Sequence, residues 1–295
     1  MLNAIIMDYT EIPEDASWLR QQPYPVIAYG KQAITANADV IVPDLAAAQK
    51  LEKNIQSAPV AAMTLVQVLR STELLPPELG LDVESLAYST LQSGEEFAAW
   101  LKTRGDEILL PEPEGPALLL SRTGGKVDAV MNRPQLRNSV TVEMRDAWVE
   151  ALELLDADDS ITEFTLRGLG PCFSTGGELA EFGTAPDPAT AHWVRSVRSP
   201  ARLMAKLSAR ITCHVHGACI GSGIELPAFA SQVVAHHKTY FQLPELKLGL
   251  IPGAGGTVSI ARRIGRQRTA LLVLSGRRIN ARTALEWGLI DALED

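Results

Sequence analysis

Cysteine is scarce in this chain, with Cys172, Cys213 and Cys219 the only three in 295 residues. An odd set without a two-residue spacer weighs against a disulfide framework and a thiolate metal knuckle, and it predicts a reducing, by default cytoplasmic, setting. Basic charge is not in excess. The 27 Lys and Arg against 35 Asp and Glu leave a net charge of -8, which argues against a general nucleic-acid or acidic-membrane binder while leaving room for a local basic patch. The first residues, Met1-Leu2-Asn3-Ala4-Ile5-Ile6-Met7-Asp8, lack a basic segment leading into a long apolar run, so neither a secretory signal nor a membrane span is expected. What the chain does have is 46% hydrophobic content, enough for a substantial core.

Pro111-Glu112-Pro113-Glu114-Gly115-Pro116 combines fixed proline dihedrals with acidic side chains, which favours an extended connector. The expected division is therefore a small α/β module over 1–110, a linker over 111–116 and a larger domain over 117–295. In the first part, 26–29 and 40–42 read as strands, while 45–55, 63–70 and 95–103 read as helices. No phosphate loop, dinucleotide fingerprint or metal constellation occurs there. Downstream, strands are expected at 118–120, 127–131, 164–167, 211–216 and 233–235, with another starting at Tyr240-Phe241. Helices are expected at 141–155, across 189–209 with a break near Pro200, at 222–230, and in three final stretches from Val258 to Trp287. The alternation predicts an α/β fold.

Two glutamates stand in glycine-rich frames: Glu225 after Gly221-Ser222-Gly223-Ile224, and Glu245 before Leu246-Lys247-Leu248-Gly249-Leu250-Ile251-Pro252-Gly253. Two carboxyl groups converging on one pocket can deliver a proton and activate a water in the same turnover. A third glycine turn, Ser174-Thr175-Gly176-Gly177-Glu178, and the N–H of Ser222 offer backbone donors for a developing oxyanion. Each frame also has an ordinary structural explanation: Glu225 could cap a helix, and Glu245 could pair with Lys247 or Arg262. His214 and His216 share a strand face without a third ligand, so no metal is expected. Cys219 lies close by without an activating base, and reads as a small buried side chain.

Taken together, these frames resemble the crotonase (enoyl-CoA hydratase/isomerase) superfamily over about 127–292. The resemblance includes Asn132-Arg133-Pro134 with Asn138, the turn 173–178, His216-Gly217-Ala218-Cys219-Ile220-Gly221-Ser222-Gly223-Ile224-Glu225, Pro244-Glu245, 249–253, Gly265, Gly276 and Gly288-Leu289-Ile290. It implies a crotonase-like spiral of ββα units that holds an acyl-CoA substrate, with coenzyme A as part of that substrate and no separate cofactor. It further implies an oxyanion hole from the N–H groups of Gly177 and Ser222. Glu178, Leu179 and Ala180 match the stretch lining the acyl-CoA channel, and Glu225 and Glu245 match the paired acid/base positions of hydratases. Arg133, Arg137, Arg195, Arg198 and Arg202 are candidates for coenzyme A phosphates.

Family members commonly continue into C-terminal helices that close the pocket and build a trimer, whereas this sequence ends at Asp295 and carries residues 1–110 in addition. The N-terminal module, or another subunit, is expected to supply the cover, and a homo-oligomer, possibly trimer-based, is the expected assembly. Local departures, including Ser231 and Thr175-Gly176-Gly177-Glu178, mark a divergent branch. The leading expectation is hydration of an α,β-unsaturated acyl-CoA. The alternatives are another enolate-stabilising acyl-CoA reaction (isomerisation, decarboxylation or C–C hydrolysis) and a non-catalytic thioester-binding assembly subunit.

Overall fold

A computed structural model of the chain describes residues 3–31, 34–104, 110 and 114–295. The expected connector falls partly on 111–113, outside the described residues. The chain begins with β1 (Ile5–Asp8), α1 (Ala16–Gln21), β2 (Val26–Tyr29) and β3 (Val40–Val42), followed by four helices: α2 (Leu45–Ser57), α3 (Pro59–Thr72), α4 (Pro77–Gln92) and α5 (Glu95–Arg104). Next come β4 (Leu118–Thr123), β5 (Lys126–Met131), α6 (Val142–Ala157), β6 (Glu163–Gly168), α7 (Pro188–Val197) and α8 (Pro200–Leu207). The central part holds β7 (Ile211–Val215), β8 (Ala218–Ile220), α9 (Ser222–Glu225), β9 (Gln232–His236) and β10 (Tyr240–Gln242). The chain closes with α10 (Gly256–Ile264), α11 (Arg266–Ser275), β11 (Ile279–Asn280), α12 (Ala281–Trp287) and β12 (Ala292–Glu294).

Three sheets result among the described residues: a parallel β1-β2-β3, a six-stranded β12-β9-β7-β6-β5-β4, and a small β11-β10-β8. In the large sheet, β4 and β5 form an antiparallel hairpin and the remaining neighbours run parallel. Its strands alternate in burial, as Val127, Ala129 and Met131 show on β5, because successive side chains point to opposite faces. One continuous apolar core includes Ile27, Leu65 and Leu81 from the first part of the chain and Leu166, Val258 and Leu274 from the second.

Local chemistry accounts for most element ends. Thr141 caps α6 through the N–H of Met144, Asp187 caps α7 through Thr190, and Pro188 and Pro200 occupy first helical turns where no N–H is needed. The expected helix over 222–230 is much shorter: α9 stops at Glu225 and a 3₁₀ turn follows at Pro227–Phe229. Pro227 has no N–H with which to continue the α ladder. Helix α4, which the pattern reading did not anticipate, packs between α3, α7 and α10.

Candidate active site

The turn carrying Gly177 is tied to β8. Ser174 donates its N–H to the Ala218 carbonyl (3.2 Å), and Ile220 returns one to Ser174 (3.1 Å), an extended pairing that carries the chain on to Gly176 and Gly177. The same turn is anchored on its other side, where Glu178 N–H donates to Val140 O (3.2 Å). Both Gly177 and Ser222 line a cleft of about 540 Å³, and neither backbone N–H donates a hydrogen bond among the described residues. Backbone amides away from solvent are ordinarily paired, so two N–H groups without an acceptor among the described residues, one on buried Ser222 and one on half-buried Gly177, are available to a ligand in the cleft.

Glu225 and Glu245 reach the same cleft from different elements, the first from the end of α9 and the second from the 3₁₀ turn Glu245–Leu248 after β10. Both are buried, at 2% and 8% exposure. Gly221 lies between them: a Cβ there would stand 2.8 Å from Glu245 Oε1 and 3.7 Å from Glu225 Oε1, and its φ of +51° also favours glycine. The glycine keeps clear the space into which both carboxyl groups project.

The two carboxyl groups differ in support. Glu225 Oε2 accepts from the N–H groups of Ala254 (2.8 Å) and Gly256 (3.0 Å), and Ser259 Oγ donates to the Glu225 carbonyl (2.7 Å). Glu245 Oε2 is buried without a hydrogen-bond partner among the described residues. Burial pushes the Glu225 carboxyl well above the ordinary carboxylate range, reinforced by the charges of Glu245 and Glu84 and opposed by its two amide donors. Burial likewise pushes Glu245 up to about 8, against its own backbone N–H and with the charge of Glu84 adding to the rise. Such a pair holds a proton near neutrality and titrates as a unit. The simple structural pairing of Glu245 with Lys247 or Arg262 does not form among the described residues; Arg262 donates instead to the Leu75 carbonyl.

Of the other anticipated residues, Glu178 and Leu179 line the cleft, with Glu178 accepting from Ser139 Oγ (2.7 Å) and Ala180 N–H (3.1 Å). Ala180 is buried and is not on the cleft wall. Four of the candidate phosphate-binding arginines are engaged inside the protein. Arg133 is buried against Glu143 and the carbonyls of Glu114, Gly115 and Pro116; Arg195 bonds Ser85, Ser89 and Gln92; Arg198 pairs with Asp146; and Arg202 pairs with Asp82. His214 lies against Glu294 and His216 against the Gly170 carbonyl, so the two imidazoles serve separate contacts. Burial pushes the Cys219 thiol well up, which keeps it protonated and a poor nucleophile.

Two cleft residues come from a helix that the sequence reading left blank. Tyr88 and Gln92 of α4 line the cleft, and a Cβ on Gly253 would lie 2.4 Å from the Tyr88 ring. On the same helix Glu84, 2% exposed, reaches the segment between Glu225 and α10. Helix α5 completes this side: Trp100 packs edge-on against Phe182, and Arg104 donates to the carbonyls of Leu179 (2.8 Å) and Phe182 (2.7 Å). The signal that could have found α4 is Pro77 at a helix start, followed by Leu81, Ser85, Tyr88 and Leu91 at helical spacing.

Comparison with known proteins matches residues 125–294 to the enoyl-CoA hydratase/isomerase family model. The chain is 35% identical over 170 residues to the 1,2-epoxyphenylacetyl-CoA isomerase of Escherichia coli (strain K12), covering 56% of this chain and 65% of the relative. It is 33% identical over 176 residues to the 2,3-dehydroadipyl-CoA hydratase of the same organism, covering 59% and 67%. It thus spans about two thirds of the length of these curated relatives. The crystal structure of an enoyl-CoA hydratase from Thermoplasma volcanium GSS1 superposes with a TM-score of 0.56 at 27% identity, over 61% of this chain and 73% of that one. Among the described residues, no helix is long and apolar enough to cross a membrane. The fold, the matched segment and these relatives together establish that the chain belongs to the enoyl-CoA hydratase/isomerase family of the crotonase superfamily.

Proposed function

We propose that the protein hydrates an α,β-unsaturated acyl-CoA thioester. The reading is carried by one arrangement: two amides without acceptors among the described residues, Gly177 and Ser222, share a cleft with two buried glutamates. The amides receive the thioester oxygen. Water attacks the β-carbon as Glu225 takes its proton, the double-bond electrons move toward the thioester carbonyl, and the enolate charge develops where the amides point. Glu245 then delivers a proton to the α-carbon. The next turnover requires that proton to return from Glu225, directly or through the cleft water.

The donor pattern supports this division of roles. Burial raises both carboxyls, Glu225 well above the ordinary range and Glu245 to about 8, so the pair keeps a proton; two N–H groups favour the charge on Glu225, whereas Glu245 Oε2 has no donor among the described residues, which favours Glu245 as the proton's seat. Helices α4 and α5 serve as cover for the acyl end through Tyr88 and Gln92 and through Trp100 against the cleft residue Phe182. A second reading, double-bond isomerisation, is favoured by the same asymmetry, because a single carboxyl at Glu245 whose Oε2 no donor holds among the described residues suffices to move a proton between carbons.

The test is a chromatographic separation of 2-enoyl-CoA, 3-enoyl-CoA and 3-hydroxyacyl-CoA thioesters with mass-spectrometric detection, on wild type and the Glu225→Gln and Glu245→Gln variants. Hydration predicts water addition that both substitutions abolish. Isomerisation predicts turnover without mass change that survives Glu225→Gln. Tight thioester binding with no turnover on any acyl group would support the assembly-subunit alternative and overturn both catalytic readings.

A further inference from the structure

Four consecutive backbone N–H groups, from Ala254 to Thr257, form the entrance to α10, and two carboxylates divide them alternately. Glu225 Oε2 takes Ala254 (2.8 Å) and Gly256 (3.0 Å); Glu84 takes Gly255 through Oε1 (2.6 Å) and Thr257 through Oε2 (2.9 Å), with Thr257 Oγ1 adding a third bond (2.6 Å). Gly255 at φ +102° turns successive amides to opposite sides, which makes the alternation possible. Neither carboxylate can shift without the shared backbone moving against the other. The cluster also faces Glu245, whose buried Oε2 has no partner among the described residues.

We propose that Glu84, which lies outside the family-matched segment, is a positioning residue for Glu225, so that docking of α4 onto the entrance of α10 sets the geometry of the acid/base pair. The proposal rests on the hydration reading for its catalytic meaning and on the hydrogen-bond pattern for its physical content. Alternation separates it from simple helix capping, for which one carboxylate on one or two amides suffices. The charged and titratable groups facing Glu84 are Arg195 from α7, Tyr88 on its own helix, Glu225 from α9 and Glu245 from the turn after β10. Arg195 is held by Ser85, Ser89 and Gln92 and makes no ion pair with Glu84 among the described residues. Burial raises the Glu84 carboxyl itself to about 7, against the donors from Thr257 and Gly255 and the charge of Arg195; once ionised, it bears on the glutamate pair and favours retention of their proton to higher pH.

The experiment uses the full chain with Glu84→Gln and, as a milder lesion, Thr257→Val, which removes only the hydroxyl donor. Two readouts are taken: the pH–rate profile on an accepted enoyl-CoA, and the titration of the Glu225 and Glu245 side-chain carbons by ¹³C NMR, assigned with the corresponding Gln variants. For Glu84→Gln the expected result is a kcat loss on the order of 10²-fold with KM little changed. The alkaline limb and the carboxyl titration both move to lower pH, by about one unit. Thr257→Val weakens the charged form of Glu84 and moves both in the same direction by less. A purely structural Glu84 would lower thermal stability and leave both pH readouts in place; that result, in whichever variant folds, overturns the proposal. A wild type that turns over no enoyl thioester would sink the hydration reading alone, because the NMR titration still reports whether Glu84 governs the pair.

Discussion

Asp39 and Glu245 are both buried carboxylates, at 2% and 8% exposure, and the protein treats them in opposite ways. Asp39 is met from three sides: Arg70 grips it through Nε (2.8 Å) and Nη2, Arg266 stands 3.6 Å away, and the Val26 N–H donates at 2.8 Å. Glu245 faces a cleft, a second glutamate and a third, with one oxygen left without a donor among the described residues. A buried charge needs partners unless the group sheds its charge or performs work that justifies the cost. The first arrangement fastens α3 to the β2–β3 sheet. On the proposed hydration reading, the second keeps a proton available beside an open cavity.

The sharpest way to break this contrast is to neutralise each acid in place. Glu245→Gln is expected to lower kcat by roughly 10²–10⁴ while leaving the urea midpoint at pH 7 unchanged or raised. Asp39→Asn is expected to do the reverse. Leaving Arg70 buried without its counter-charge costs roughly 3–5 kcal/mol, with turnover per folded molecule unaffected. Denaturation and steady-state kinetics on the same two preparations check both. If Asp39→Asn lost activity and kept stability, the division between fastening and working carboxylates would be wrong.

These two acids also mark what was legible beforehand. Glu245 was visible because Pro244-Glu245 and the glycines after it form a local frame, and the family, most helices and the longer central strands could be read from similar local signals, whereas β1, β8, β11 and β12 were not anticipated. Asp39 was invisible because its partners lie 31 and 227 residues away in sequence. Glu84 was hidden for the same reason: its ligands at Gly255 and Thr257 are 171 and 173 positions distant, so even the helical spacing that marks α4 does not show what Glu84 meets. The expected helix over 222–230 erred locally, because apolar content outweighed Pro227. Periodicity reports which face is buried; it does not report what that face is buried against.

The glycine frame around Glu245 serves a second purpose that sharpens the comparison. Gly253 lets the Tyr88 ring lie against the backbone, and a Cβ there would stand 2.4 Å from the ring carbons. Gly253→Ala is therefore expected to cost about 1–3 kcal/mol by overpacking and to displace Tyr88 from the cleft wall. Activity should fall more for long acyl chains than for short ones. Equal loss across a chain-length series would remove Tyr88 from the acyl pocket.

The smallest expected effect is in pH, and its sign follows from the direction of the shift. Glu245 is pushed from 4.5 to about 8 in the folded protein, so the native state binds more protons than the unfolded chain between those values. Its contribution to stability is fully present below pH 4.5 and is lost as pH rises toward 8. The limiting slope for one proton is about 1.4 kcal/mol per pH unit. The open cleft and the sharing of charge with Glu225 and Glu84 should hold the measured slope below that limit. Urea denaturation at pH 5, 6.5 and 8 (about the span of the titration) should show Glu245→Gln gaining on wild type at each step. If the two curves stayed parallel, the Glu245 carboxyl would be solvated or paired in solution, and its role as a retained acid would fall with it.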